Sequence, residues 1–327
     1  MSKVLITTVP FAEKNKEPIE LLEAAGIEYL INPIGRKLKE PELVELISNY
    51  EVIIAGTEAI TERVLNSGSR LKLISRVGVG LDSVDLLAAE RAGIAVSYTP
   101  DAPAPAVAEL TLSLMLSLMR STHMANAQIH RGTWSRYFGR RMCDVTVGII
   151  GVGRIGSQVL RLVSKLGFKQ VLFNDVDTNV NIEAGDNVKF VDREELYRQA
   201  DLISLHLPLN AQTKNMITRQ QLYQMKPDAM IINTSRGGII NEGDLSEVLS
   251  EGHLGGAAID VFEQEPYCGP LANIERCLLT AHMGSMSVDC RARMEIEATQ
   301  EAVRFLTGEP LKGLVPSAEY LARRQGL

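Results

Sequence analysis

Short apolar runs rich in β-branched residues alternate with helical patterns along most of the chain. In the first third, Val4 to Val9, Ile27 to Ile31, Val52 to Ala55, Leu71 to Arg76 and Ile94 to Ser97 predict strands, and Pro18 to Ala25 and Glu40 to Asn49 predict helices between them. The proline-rich stretch TPDAPAPA, Thr99 to Ala106, interrupts the pattern and marks a domain boundary, and a helix from about Val107 to Arg120 follows it. A second series of strands is predicted at Val145 to Ile150, Val171 to Phe173, Val188 to Val191, Leu202 to Leu207, Met230 to Asn233, Ala257 to Asp260 and Leu278 to Thr280. Strands that alternate with helices in this way favour an α/β fold with doubly wound parallel sheets. The amphipathic stretch Ser287 to Gly308 predicts one long helix, expected to return to the first domain.

The composition is that of ordinary globular protein. The 327 residues are 45% hydrophobic and 23% charged, which suits about two domains. The balance of 34 basic against 40 acidic residues gives a net charge of -6, so neither nucleic acid nor an anionic membrane surface is expected as a partner. The four cysteines, Cys143, Cys268, Cys277 and Cys290, have no C-x-x-C spacing, which points to no metal and to a reducing cytoplasm. The start, MSKVLITTVPF, is too short in apolar residues for a signal-peptide core. Leu110 to Met119 is far short of a membrane span, and its apolar character on every face makes it a candidate dimer contact.

The strongest local motif opens the second series. Gly151, Gly153 and Gly156 stand in G-x-G-x-x-G spacing directly after a predicted strand and directly before a predicted helix. The first glycine permits the tight turn, the second lets a pyrophosphate approach the backbone, and the third lets helix and strand pack closely. Asp175, at the end of the next predicted strand, is placed to accept ribose hydroxyls and to repel a 2′-phosphate. No Arg or Lys lies between Asn174 and Asn181, so NAD is expected over NADP. Asp177 is the competing acid, more in keeping with a solvated loop.

NTSRGGIINEGDL, Asn233 to Leu245, sets an arginine at the end of an apolar run, where a charge needs either water or an anion. Ligands of a doubly wound sheet bind at the carboxyl ends of its strands, so Arg236 is read as an anion clamp. Asp260, Glu265 and His282 fall at comparable strand ends. Hydride transfer to a 2-keto acid needs a carboxylate anchor, a proton donor and a group that keeps the donor protonated, and Arg, His and Glu meet those needs. Of the remaining histidines, His123, His130 and His253 are expected to be structural or surface groups, and His206 to approach the cofactor.

Seven stretches together resemble the D-isomer-specific 2-hydroxyacid dehydrogenases: RVGVGLDSVD at 76–85, AVAELTLSLML at 106–116, VGIIGVGRIG at 147–156, HLPL at 206–209, NTSRGGIIN at 233–241, AAIDVFEQEP at 257–266 and TAHMGS at 280–285. The resemblance implies two Rossmann-like domains, a substrate domain of residues 1–100 and 287–327 and an inserted NAD domain of residues 101–286, in a homodimer. It implies a catalytic trio of Arg236, Glu265 and His282, with Glu265 rather than Glu263 because it immediately precedes the proline. It also implies cofactor contacts from Gly151, Gly153, Arg154, Ile155, Gly156, Asp175, His206, Pro208, Thr234, Ser235, Asp260 and Gly284, and substrate contacts from Arg76, Val77, Gly78 and Val79.

Ser83, Tyr98 and Ala281 depart from the family's usual Asn, Asn and Pro and bear on substrate fit. The first domain is most similar to the branch of phosphoglycerate dehydrogenases and hydroxypyruvate reductases. The expected substrate is a small anionic 2-hydroxy or 2-keto acid, 3-phosphoglycerate first, with hydroxypyruvate or glyoxylate as alternatives and Arg76 and Arg36 as candidate phosphate partners. The chain stops about twenty residues after its last long helix, so no further regulatory domain is expected. An NAD-sensing corepressor-like binding protein is the alternative from another class.

Overall fold

The computed structural model describes residues 3–178, 180, 185 and 187–326. The chain divides into two units, Met1–Pro103 with Ser285–Leu327, and Ala104–Gly284.

The first unit contains β1 (Lys3–Ile6), β2 (Glu28–Ile31), β3 (Val52–Ala55), β4 (Leu73–Arg76) and β5 (Ala95–Tyr98), all parallel, in the order β2-β1-β3-β4-β5. Leu5, Ile53, Ile74 and Val96 stack on one face against Leu43, Ile47, Val64 and Leu86 from the intervening helices, all but fully buried. The helix Val288–Thr307 covers the other face, where Ser75 Oγ donates to the Ala298 carbonyl at 2.7 Å. Its inward stripe of Cys290, Met294, Ala298 and Ala302 recurs every four residues, and the small members let backbone and sheet approach closely. Ser287 Oγ caps its first turn through the Cys290 N–H at 3.3 Å, and Gly308 ends it at φ +77°.

The second unit holds β6 (Thr146–Ile150), β7 (Gln170–Asn174), β8 (Val188–Phe190), β9 (Leu202–Leu205), β10 (Met230–Asn233), β11 (Gly256–Ile259) and β12 (Cys277–Leu279). They too are parallel, in the order β12-β11-β10-β9-β6-β7-β8. The order reverses between β6 and β9, and the crevice at such a reversal is where open α/β sheets take their ligands. The helix Ala104–Arg120 begins inside the proline-rich stretch, because Pro105 sits in the first turn, where its missing N–H costs nothing. Its apolar stretch is not all taken up by the core. Ala108, Leu114, Met115, Leu118 and Met119 enter the core while Leu116 remains 37% exposed. Among the described residues, no helix is long and apolar enough to cross a membrane.

Candidate active site

The turn after β6 is built by glycines for two opposite reasons. Gly151 takes φ +88°, and a Cβ there would overlap the His206 carbonyl oxygen; a Cβ on Gly156 would overlap the carbonyl oxygen of Gly151. Both positions are closed by the protein itself. Gly153 is the reverse: a Cβ there would meet nothing within 4 Å, so the loop leaves space in front of the helix Arg154–Lys165. No side chain caps that helix at its start, which leaves its first N–H groups and positive dipole end to an anion. Arg154 opens it on the exposed side, and Ile155 packs partly into the core. Asp175, at the end of β7, accepts the Val152 N–H at 2.6 Å and the Asp177 N–H at 3.0 Å, which fixes its carboxylate across the glycine turn. An open glycine, an uncapped helix and a fixed carboxylate at the next strand's end together fit a dinucleotide.

His206 borders this turn from the end of β9, and Pro208 follows two residues on. Burial pushes the His206 imidazole down to about 3, so the ring is neutral. Its Nε2 lies 2.9 Å from Ser204 Oγ, while Nδ1 is buried with no partner among the described residues. The Pro208 carbonyl accepts from Thr213 Oγ1 at 2.6 Å.

β10 ends in a turn organised by Asn233, whose Oδ1 accepts the Ser235 N–H at 3.0 Å and the Ser235 hydroxyl at 2.7 Å, and whose Nδ2 donates to the Arg236 carbonyl at 2.8 Å. Thr234 Oγ1 is tied to Thr111 Oγ1 at 2.8 Å. Arg236 is partly buried, and its Nη1 donates to the Ser235 carbonyl at 2.6 Å. Gly237 packs directly on the Phe262–Glu263 backbone, with no room for a Cβ, so the arginine's turn and the loop after β11 are seated on each other.

That loop carries Glu265. His282, just after β12, sets Nδ1 3.0 Å from both carboxylate oxygens of Glu265, and the Phe262 N–H reaches Glu265 Oε1 at 3.3 Å. The His282 side chain is 37% exposed. Its backbone is left-handed at φ +49°, a conformation that few non-glycine residues adopt without support from their surroundings. The support comes from Asp260. This fully buried carboxylate accepts the Thr280 hydroxyl at 2.5 Å and the N–H groups of Met283 and Gly284 at 2.9 Å each, while its carbonyl accepts the His282 N–H at 2.8 Å. Asp260 and Gly284, expected on the cofactor, are bonded to each other in the structure, and they also shape the histidine loop. A buried Asp preceding a histidine turn was the available signal for that role.

The expected substrate contacts lie in the first unit, at the end of β4. The Val77 N–H is taken by the Ala55 carbonyl at 2.9 Å and the Gly78 N–H by Thr99 Oγ1 at 2.8 Å. Of the three backbone donors expected there, Val79 alone is uncommitted among the described residues. Arg76 is only 6% exposed, and its guanidinium lies against the Val77 carbonyl and Gly78. Arg36 forms a two-pronged pair with Glu42 at 2.6 and 2.9 Å. Among the described residues no group of three His, Cys, Asp or Glu side chains could hold a metal ion.

Residues 112–284 match the family model described as D-isomer specific 2-hydroxyacid dehydrogenase, NAD binding domain. The chain is 34% identical to the D-3-phosphoglycerate dehydrogenase of Synechocystis over 85% of its own length, and it spans 51% of that protein. It is 33% identical to the hydroxypyruvate reductase of Thermotoga maritima over 82% of its own length and 89% of that protein. The TT0316 protein from Thermus thermophilus superposes with a TM-score of 0.87 at 31% identity, covering 96% of this chain and 100% of that one. The chain belongs to the D-isomer specific 2-hydroxyacid dehydrogenase family, and the unit with the glycine turn contains its NAD binding domain.

Proposed function

We propose that this protein is an NAD-dependent oxidoreductase that interconverts a small D-2-hydroxy acid and its 2-keto acid, with 3-phosphoglycerate and 3-phosphohydroxypyruvate as the pair. The observation that carries the proposal is the His282–Glu265 contact, an imidazole held by both carboxylate oxygens on a loop beside the strand ends of an NAD binding domain. Bound nicotinamide supplies or accepts the hydride at C2. Arg236 binds the substrate carboxylate in its planar fork and polarises the C2 carbonyl. Because Glu265 occupies Nδ1, Nε2 is the atom that gives a proton to the forming alkoxide in reduction and removes it in oxidation. Asp175 holds the adenosine ribose, and the open space at Gly153 takes the pyrophosphate. Arg76 and the backbone of Val77 to Val79 are further proposed substrate contacts.

A second reading, reduction of unphosphorylated hydroxypyruvate or glyoxylate, is favoured by one observation. Arg36 is spent on Glu42 and Arg76 is turned onto its own backbone, which leaves little built for a phosphate. We further propose a cytoplasmic homodimer. Four free cysteines support the compartment. Leu116, with Trp134 at 79% and Phe138 at 105% exposure on the irregular residues 133–141, supports the dimer.

The test is NADH consumption on 3-phosphohydroxypyruvate, hydroxypyruvate, glyoxylate and a bulky apolar 2-keto acid, with wild type and Arg76→Ala. A selective loss of the phosphorylated substrate in the variant supports the first reading, and equal losses support the second. Activity confined to the bulky acid would sink both. Turnover on none, with NADH still bound, would favour an NAD-sensing binding protein.

A further inference from the structure

The first sheet has a reversal of its own. Its order, β2-β1-β3-β4-β5, turns back between β1 and β3, and the crevice outside the carboxyl ends of those strands is where this topology takes ligands. Thr7 and Thr8 follow β1 there, and Gly56 to Glu58 follow β3. Glu58 is folded back over this reversal and is only 2% exposed. Its Oε1 accepts the Thr7 hydroxyl and, at 3.0 Å, the Gly56 N–H. Among the described residues no hydrogen bond reaches its Oε2 and no cation pairs with it. Arg291, which donates to Thr8 Oγ1 at 2.8 Å, is paired with Glu295 at 2.5 Å instead. A Cβ on Gly56 would come within 2.8 Å of Glu58 Oε2 and 3.0 Å of the Thr8 Cα, so the unpartnered oxygen lies at the junction of the two strand ends. A buried carboxylate oxygen normally has a donor, and one that lacks it in a ligand crevice calls for a ligand that donates.

The proposed substrate contacts share this edge of the sheet. Ala55, the last residue of β3, stands opposite Arg76, and its carbonyl accepts the Val77 N–H at 2.9 Å. We infer that Glu58 is a specificity-determining residue: its Oε2 accepts the C3 hydroxyl of a hydroxy-substituted 2-keto acid and disfavours a phosphate on the same carbon. This rests on the proposed 2-keto acid activity and bears on the choice between its two readings. A keto acid gripped at Val77 to Val79 spans about one strand spacing, roughly 5 Å, so its C3 substituent is the part that meets Glu58. A free hydroxyl there supplies the donor that Oε2 lacks. A phosphate ester has no hydroxyl on that carbon and brings like charge towards a buried carboxylate, the repulsive element by which a site rejects a competitor. A substrate with neither group leaves Oε2 without a donor, and sites built to hydrogen-bond a hydroxyl discriminate strongly against analogues that lack it.

The experiment measures kcat/KM at saturating NADH for hydroxypyruvate, pyruvate and 3-phosphohydroxypyruvate, in wild type and Glu58→Gln, with thermal unfolding of both. Pyruvate is the hydroxypyruvate skeleton without its hydroxyl. The wild type should favour hydroxypyruvate over pyruvate by about tenfold or more, the scale of one hydrogen bond to a charged group. The glutamine keeps an oxygen for Thr7 and Gly56 and removes the charge. It should shrink that preference and raise the ratio of the phosphorylated substrate to hydroxypyruvate by about tenfold, whichever of the two the wild type prefers. A wild type that treats hydroxypyruvate and pyruvate alike overturns the inference, and this readout stands even where the variant does not fold. A folded Glu58→Gln that leaves every ratio unchanged overturns it too. A wild type inert on every keto acid would instead overturn the proposed activity on which the inference rests.

Discussion

The imidazole of His282 lies 3.0 Å through Nδ1 from each carboxylate oxygen of Glu265, which fixes the ring and points Nε2 away from its partner. The ring is aimed because its backbone is held at φ +49° by the Asp260 network. Orientation is thus set from both ends of the side chain. Replacing His282 with Asn removes the proposed proton donor without touching the glycine turn. Turnover should fall by about 100- to 10,000-fold, the usual worth of a placed general acid, and the NADH dissociation constant should stay within about twofold. Steady-state kinetics with a fluorescence titration of NADH checks both; unchanged turnover would remove His282 from the chemistry.

Arg236→Lys keeps the charge and loses the fork. A lysine presents a point charge where the proposed clamp offers a substrate carboxylate two parallel bonds, so KM for the keto acid should rise by about tenfold or more, the scale of one charge-assisted hydrogen bond. A wild-type KM would show that the carboxylate is bound elsewhere.

Asp175 does two things at once, accepting the Val152 N–H and presenting charge at the end of β7. Asp175→Asn keeps an acceptor for the backbone and removes the charge. The preference for NADH over NADPH in kcat/KM should narrow by about tenfold, with the melting temperature preserved. Equal use of both cofactors by the wild type would mean that the ribose contact is misplaced.

Asp260 is a stability prediction. Asp260→Ala leaves the Met283 and Gly284 N–H groups and the Thr280 hydroxyl without their acceptor, at about 1 to 3 kcal/mol for the buried Gly284 N–H and less for the two partly exposed groups. Thermal unfolding should shift down by several degrees, since about 1 kcal/mol moves the midpoint of a unit of this size by roughly 2 to 4 °C, and turnover should fall as His282 loses its aim. An unshifted midpoint would show that the loop is held by something else.

The strands were the most legible elements because burial on both faces writes itself as an uninterrupted apolar run, as in Val52–Ala55 and Met230–Asn233, which the structure bounds at the same residues. Ends were less legible. Val4 to Val9 reads as one strand, yet β1 stops at Ile6 because Thr7 and Thr8 turn to hydrogen bonds with the Ile54 carbonyl. The helix Thr122–His130 was invisible because it buries none of its residues, so no apolar period marks it. At the site, residue types gave the chemistry but not the partners of each group. No pattern could show that the Gly78 N–H is taken by Thr99, or that Arg76 curls onto its own loop, because such bonds depend on which strand ends the sheet order brings together.

The glycine turn offers a prediction in which two similar substitutions must behave differently. At Gly153 the backbone has φ -70°, outside the left-handed region that favours glycine, and the added Cβ meets nothing within 4 Å of protein. The fold should therefore tolerate Gly153→Ala, with a stability change of less than about 1 kcal/mol. The empty space is valuable only to a ligand, so NADH affinity should drop while the melting temperature holds. At Gly156 the added Cβ would overlap the Gly151 carbonyl oxygen, and the helix would have to move off the strand. Overpacking of that kind costs about 1 to 3 kcal/mol, so Gly156→Ala should lower the melting temperature whether or not NADH is present. Calorimetric NADH titration and thermal unfolding of the two variants separate the roles. If Gly153→Ala binds NADH as tightly as wild type, the pyrophosphate does not cross that position, and the assignment of the turn to cofactor binding is lost even though its packing would still be explained.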